Sequence, residues 1–163
     1  MFRHTFRPVR LVGGLAVLGL LLVAPASPAA AAKSVKATVT VTDDFSSGSI
    51  RFVVDGIPAV VPADLYKVEF VNNSIGPHVL IGVGLLPPGT TTEEFLELIR
   101  ANPEGPPEGI FETGAVFAKP GQRHQGVNDL TLPGTYGYLC PITTPAGVPH
   151  FELGFVGVFE VEA

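Results

Sequence analysis

Short segments in which apolar and polar residues alternate, separated by glycine and proline, constrain the fold of this chain most. Between Val35 and Thr42, for example, valines and an alanine alternate with lysine and threonine. A period of two is typical of a β-strand with one face buried. The chain has 19 glycines and 16 prolines among 163 residues. These residues favour turns and disfavour a bundle of long helices. The pattern therefore predicts an all-β protein.

Eight short segments after residue 32 are predicted to be strands, some by alternation and others as short β-branched or apolar runs. They are Val35–Thr42, Ile50–Val54, Leu65–Val71, His78–Val83, Ile110–Phe117, Val127–Leu132, Thr135–Cys140 and Phe155–Val161. Turn-forming residues separate neighbouring segments. About eight regularly spaced short strands in about 130 residues indicate two sheets packed as a β-sandwich.

One segment has the pattern of a helix instead. Thr91 and Glu94 have the spacing of a capping box at its start. Phe95 and Ile99 are four residues apart, so both can face the sandwich from one side of a helix. An asparagine–proline pair follows and ends the segment. We expect one short helix over residues 91–100, inserted between two strands as a connection; a binding lid is the alternative.

The first 32 residues have the layout of a secretory signal. Three arginines lie in the first ten residues, an apolar run follows from Leu11 to Val23, and small residues fill Ala24–Ala32. This order is typical of a signal peptide, and about 13 apolar residues are few for a membrane span, which needs about 20. We expect a signal over 1–32 and one domain over 33–163, exported to the periplasm, the cell envelope or the exterior. An uncleaved anchor is the alternative.

Charge narrows the class of partner. Removal of the signal takes away three of the ten basic residues and none of the 15 acidic residues, which leaves a net charge of −8. Phosphate binding needs a basic surface, so a nucleic-acid partner is disfavoured. The composition instead favours a soluble, monomeric exported domain without stable membrane insertion.

Cys140 is the only cysteine of the chain. Exported proteins usually pair their cysteines in disulfides. An unpaired cysteine in such a protein indicates intermolecular pairing, a reactive thiol or a metal ligand. No Cys-x-x-Cys zinc spacing is possible here, so histidines are the candidate neighbours.

Two histidines lie in distinctive positions relative to Cys140. His78 follows a glycine–proline pair at the start of a predicted strand, Cys140 ends another, and His150 closes the loop after it. Phe155 stands five residues further on. One thiolate and two imidazoles in a trigonal plane, with a weak axial neighbour, form the geometry of copper electron-transfer sites.

This arrangement resembles the cupredoxins, the blue-copper family that includes plastocyanin and azurin. In bacterial exported members, the last third runs Gly-x-Tyr-x-x-x-Cys, then a loop, then Pro-His-x-x-x-Gly-Met. The segments Gly134–Cys140 and Pro149–Phe155 follow this pattern except at the last position. The resemblance spans roughly 33–163 and is sharp only in Asn73–His78 and Gly134–Val161.

The resemblance implies a Greek-key β-sandwich that holds one type 1 copper ion. The family's ligands would fall on His78, Cys140 and His150. The protein would be a small electron carrier, not an enzyme, that serves a redox partner protein. Copper oxidases and nitrite reductases need several such domains or a second metal site, which one domain with one cysteine does not provide.

Three positions depart from the family pattern. Phe155 replaces the axial methionine and cannot donate to a metal, which implies a three-coordinate site and a raised reduction potential. Nine residues separate Cys140 from His150, a long loop for a plastocyanin-like site. Val79 follows the upstream histidine where many members have an asparagine that ties the ligand loops together.

Other interpretations stay open from the sequence. The same residues would suit an envelope copper carrier or store without electron transfer, or a metal-free interaction domain. A cysteine nucleophile with a histidine base is a further, less economical alternative. His124 is expected in a solvated turn, Glu152 is expected to face solvent, and Tyr136 and Tyr138 are expected to pack near the site.

Overall fold

The inward-facing residues of the alternating segments form a core between two β-sheets. The computed structural model describes residues 35–163. The expected signal over 1–32 and the first residues of the expected domain lie outside the described residues. Nine strands and one α-helix are described: β1 Val35–Asp44, β2 Arg51–Asp55, β3 Val60–Pro62, β4 Asp64–Asn72, β5 His78–Leu86, α1 Thr92–Ala101, β6 Phe111–Ala118, β7 Arg123–Leu130, β8 Gly134–Leu139 and β9 Val156–Glu162.

The strands form one four-stranded and one five-stranded sheet. Their orders are β2-β1-β4-β7 and β3-β9-β8-β5-β6. β1 pairs with β4, and β3 with β9, in parallel, and the remaining neighbours pair antiparallel. Non-consecutive strands are therefore neighbours, as a Greek-key sandwich requires. The predicted all-β sandwich with one short inserted helix is confirmed.

Most strand boundaries differ from the prediction by one to four residues, and two differences change the interpretation. Residues Val60–Pro62 form a ninth strand that the sequence analysis did not identify, because three residues are too few to show alternation. β7 begins at Arg123 rather than at Val127. His124 therefore lies on a strand and not in a turn, although it is exposed as expected. Pairing with β4 extends β7 through this polar stretch.

Helix α1 begins as its sequence indicates. The Thr91 side chain accepts a hydrogen bond from the Glu94 N–H, and the Glu94 carboxylate accepts one from the Thr91 N–H. Phe95 is buried in an apolar cluster with Val83 and Leu139 of the five-stranded sheet. Gly137 of β8 makes room for its ring, because a Cβ there would overlap the ring atoms. The helix thus covers the outer face of this sheet.

Tyr136 of β8 is buried between the two sheets. Its hydroxyl donates to the Leu132 carbonyl over 2.7 Å, four residues upstream, as in a tyrosine corner. Its ring stacks on Phe159 with centroids 5.8 Å apart. Tyr136 therefore packs in the core cluster that also contains Cys140 and Phe155. Within residues 35–163, no helix combines the length and hydrophobicity of a membrane span.

Candidate metal centre

The sandwich topology brings four chain segments to one pole. β5 and β8 are antiparallel, with Ile81 opposite Leu139, so the start of β5 lies beside the end of β8. β8 and β9 are also antiparallel, with Leu139 opposite Val156. The first residue of β5 is His78, and the residue after β8 is Cys140. The connection between β8 and β9, which carries His150, therefore meets both.

The three side chains at this pole form one buried cluster. His78 Nδ1 lies 3.1 Å from His150 Nδ1, and Cys140 Sγ lies 3.5 Å from the same His150 atom. One ligand atom from each residue lies within 4.8 Å of the other two. The exposed fractions of His78, Cys140 and His150 are 0%, 0% and 4%. The sequence analysis singled out these three residues, and the fold brings all of them together.

Aromatic rings enclose the two imidazoles. Phe52 lies edge to face against His78 and tilted against His150, with centroid distances of 4.6 Å in both pairs. Phe155 lies against His78 at a centroid distance of 5.2 Å and is fully buried. Phe155 occupies the position where the cupredoxins, which the sequence resembles, carry methionine. A hydrocarbon ring therefore lies beside the cluster at this position.

Backbone hydrogen bonds fix the sulfur. The Val79 N–H donates to Cys140 Sγ over 3.4 Å. The Cys140 N–H donates to the Phe155 carbonyl, and the Phe151 N–H donates to the Cys140 carbonyl. Val79 therefore contacts the sulfur through its backbone, a contact that does not depend on its side chain. The cysteine is tied to both ends of the segment that follows His150.

The long loop from Cys140 to His150 is ordered by its own hydrogen bonds. The Thr144 N–H donates to the Val148 carbonyl over 2.8 Å, and the Gly147 N–H donates to the Thr144 carbonyl over 2.9 Å. Gly147 has a φ of 80°, which suits glycine at this turn. The His150 N–H donates to the Ile142 carbonyl and closes the loop. The loop therefore holds His150 in place despite its length.

Asn72 secures the loop before His78. Its amide nitrogen donates to the carbonyls of Gly76 and Ala118, and its amide oxygen accepts from the Ser74 N–H and hydroxyl, all within 2.9 Å. The side chain is fully buried. A buried amide with its donors and acceptors satisfied holds a loop in one conformation. Asn72 thus fixes the approach of the chain to His78.

Burial sets the protonation states of the metal-free cluster. Burial, with a smaller effect of His150, lowers the pKa of His78 to about 4. Burial also lowers the pKa of His150, although Asp43 opposes this change. The Cys140 pKa is raised by burial, against the opposing effect of the Val79 N–H. Near neutral pH the cluster is therefore two neutral imidazoles and a thiol, so a metal cation must displace the thiol proton.

The cluster fits a soft metal ion by its donor set and by its spacing. Bonds of about 2.0 Å to nitrogen and about 2.3 Å to thiolate separate neighbouring ligand atoms by about 3.5–3.7 Å in a trigonal site. The observed separations of 3.1 and 3.5 Å lie within a few tenths of an ångström of this range. One thiolate and two imidazoles are the donor set of blue-copper sites.

The other candidate residues do not join the cluster. His124 is exposed on β7 and lies 3.3 Å from the Gln122 side-chain oxygen. Glu152 does not coordinate with the cluster but pairs with Arg100 of α1, and its side chain is 28% exposed. The expectation that Glu152 faces solvent is therefore met only in part.

Two residues of the site were not identified from the sequence. Phe52 belongs to an alternating strand, which indicated that it faces the core but not that it meets both imidazoles. Asn72 ends β4 and was interpreted as a strand terminator. An asparagine whose partner at Ala118 lies 46 positions away gives no local signal.

Comparisons with known proteins show the fold. No family model and no curated protein matches the sequence. A dithionite-reduced auracyanin from the photosynthetic bacterium Roseiflexus castenholzii has a similar structure, with a TM-score of 0.52 and 22% identity over 81% of this chain and 99% of that chain. Auracyanin A of Chloroflexus aurantiacus, a blue copper protein, has a TM-score of 0.46 and 18% identity over 78% of this chain and 99% of that chain. The chain has a cupredoxin-like fold.

Proposed function

We propose that this protein is an exported type 1 copper protein that acts as a small electron carrier. His78, Cys140 and His150 would hold one copper ion. The observation that carries the proposal is the convergence of one sulfur and two imidazole nitrogens within 4.8 Å in a buried pocket. Apolar surroundings with soft donors favour copper over hard cations such as magnesium and calcium.

The surroundings of the cluster suit electron transfer. Copper in such a site takes up and releases one electron. Transfer is fast when the ligands move little between oxidation states, and closely packed interiors resist such movement. The Asn72 hydrogen bonds, the Val79 contact to Cys140 and the packing of Phe52 each restrain one part of the cluster. The ligands are thus held in place by the protein.

Phe155 supports a three-coordinate site. Its ring lies against His78 and offers no donor atom, so we propose it as the axial non-ligand. Without an axial sulfur, Cu(I) is favoured over Cu(II), and the reduction potential rises.

Electrons would leave through the His150 side of the site to a redox partner protein. The connection between β8 and β9, residues 140–155, is called the ligand loop here. Its residues Pro145, Ala146 and Val148 are exposed and lie close in sequence to His150. A small apolar surface of this kind suits weak, transient docking. We propose a monomeric carrier without enzymatic activity, nucleic-acid partner or membrane insertion.

Copper titration of the purified protein tests the proposal. Addition of Cu(II) to residues 33–163 is expected to give an intense visible band from thiolate-to-copper charge transfer, at one copper per chain. Cys140→Ser removes the sulfur and is expected to abolish the band. His124→Gln, on the exposed part of β7, is the matched control and should leave it intact. A wild-type protein that binds no copper would contradict the proposal.

A copper carrier or store is the second candidate. The buried thiol and the hydrocarbon ring of Phe155 favour Cu(I), the ion that such a protein would hold. Tight Cu(I) binding without a visible band on Cu(II) addition, together with slow electron exchange at an electrode, would favour this function over the electron carrier. Absence of binding by either ion would favour a metal-free interaction domain.

A further inference from the structure

Helix α1 lies beside the ligand loop, and the proposed function gives it no role. A groove of about 460 Å³ is lined by residues of the helix and by Pro141, Pro149 and Phe151 of the loop. Beside this groove, side chains of the helix contact the loop.

Arg100 crosses from the last turn of α1 to the ligand loop. Its Nε donates to one carboxylate oxygen of Glu152 over 2.8 Å, and a terminal nitrogen donates to the other over 2.5 Å. The second terminal nitrogen donates to Glu97 of the same helix over 2.7 Å. Among the described residues, and apart from the bonds made with the capping residues Thr91 and Asn102, the side-chain hydrogen bonds that connect α1 to the rest of the chain all reach Glu152. A bidentate arginine–carboxylate pair fixes orientation as well as distance.

Glu152 belongs to the same short turn as His150. A single 3-10 turn spans His150–Leu153, and its N-cap residue, Pro149, makes no side-chain capping bond. Phe151 packs against the apolar cluster beneath α1, and Glu152 pairs with Arg100. Of the two residues that follow His150, Phe151 thus packs against a cluster that includes Phe95 of the helix, and Glu152 binds the helix directly through Arg100. One short turn has few hydrogen bonds of its own, so external contacts set its order.

We propose that Arg100 and Glu152 are positioning residues, a brace through which the inserted helix holds His150 against Cys140 and His78. An effect of this brace on metal retention rests on the proposed function, whereas its effect on the order of the loop does not. A single exposed ion pair contributes little to global stability. The brace acts locally instead, because it restrains a turn of four residues whose first member is His150.

The test compares two glutamates that share Arg100. Glu152→Gln removes the contact between Arg100 and the 3-10 turn that begins at His150. Glu97→Gln removes only the contact of Arg100 within the helix. In the metal-free protein, we expect Glu152→Gln to speed hydrogen exchange at the amides of His150 and Phe151 by about three- to tenfold. Glu97→Gln should change it by less than about twofold. Equal effects of the two variants, or no effect of Glu152→Gln, would overturn the brace.

Copper retention supplies a second measurement. A Cu(I) chelator should remove the metal from Glu152→Gln about three- to tenfold faster than from the wild type, and the visible band should shift or broaden. The double variant Arg100→Glu with Glu152→Arg restores opposite charges and should recover slow release, which a merely destabilised loop would not do. If the wild type binds no copper, the proposed function fails, while hydrogen exchange still decides the brace.

Discussion

The carbonyl oxygen of Phe52 lies 2.9 Å from the point that a Cβ atom on Gly154 would occupy. Gly154 also has a φ of 99°, a backbone conformation that residues with side chains rarely adopt. It ends the 3-10 turn that begins at His150 and donates its N–H back to that turn. The absence of a side chain thus lets the turn close against β2, where Phe52 covers the imidazoles.

Gly154→Ala is expected to destabilise the metal-free protein by more than about 2 kcal/mol, because backbone strain and a clash with the Phe52 carbonyl add together. Gly147→Ala is the matched control. Its φ is 80° but no atom lies within 4 Å of its Cβ position, so only strain of about 1 kcal/mol is expected. Urea unfolding measures both. Equal losses in the two variants would show that the contact with Phe52 does not constrain Gly154.

Phe52→Ala is expected to cost about 3–5 kcal/mol of unfolding free energy, because it leaves a cavity against both imidazoles. Phe45→Ala serves as the control, since Phe45 is 58% exposed in the adjacent turn and should change stability by less than about 0.5 kcal/mol. The comparison uses chemical denaturation of the metal-free protein. A loss below about 1 kcal/mol in Phe52→Ala would mean that the ring is not packed as described.

The metal-free protein is expected to lose stability as pH falls from about 6.5 to about 4. His78 has a pKa of about 4 in the folded chain, against 6.5 for an ordinary histidine, so the unfolded state takes up its proton first. Proton uptake by the unfolded state lowers the unfolding free energy, here by about 2 kcal/mol at pH 5. The stabilisation is complete above pH 6.5.

The His78 contribution is isolated by a difference. Unfolding free energies of wild type and His78→Gln, measured at several pH values, should converge as the pH falls through this window, while His124→Gln should follow the wild type. Parallel curves for wild type and His78→Gln would refute the buried, neutral state of His78.

Phe155→Met is expected to lower the reduction potential of the copper-loaded protein. A thioether at this position stabilises Cu(II) relative to Cu(I). Phe155→Leu is the control, because it changes the packing without adding a donor. Protein-film voltammetry measures the potentials, and an unchanged or raised value in Phe155→Met would contradict the axial assignment.

Val148→Lys is expected to slow electron self-exchange, because it places a charge on the proposed docking surface, where Val148 is 38% exposed. Val127→Lys on β7, a residue 53% exposed, is the matched control and should have little effect. NMR line broadening of mixed oxidation states gives the rates. Equal self-exchange rates in Val148→Lys and wild type would show that the docking surface does not include Val148.

Local patterns predicted the elements of this fold, and long-range contacts decided the rest. Alternation and short apolar runs located eight of the nine described strands, and the Thr91–Glu94 pair located the start of α1, because these signals lie within a few residues. The ligand candidates were recognisable by residue type and spacing. Phe52, Asn72 and the Arg100–Glu152 pair were not, because their partners lie far along the chain. Arg100 and Glu152 are 52 positions apart, and no local rule relates them.

The 72 positions between His78 and His150 also determine when the site can exist. Chains dominated by such distant contacts fold comparatively slowly, because the entropy of loop closure is lost before the contacts form. The two imidazoles come together only when the sheets have assembled, so the unfolded chain has no metal site. An ion bound only by the native state then stabilises it by mass action. If the chain folds after export, as proposed, the compartment in which it folds would thus select its metal.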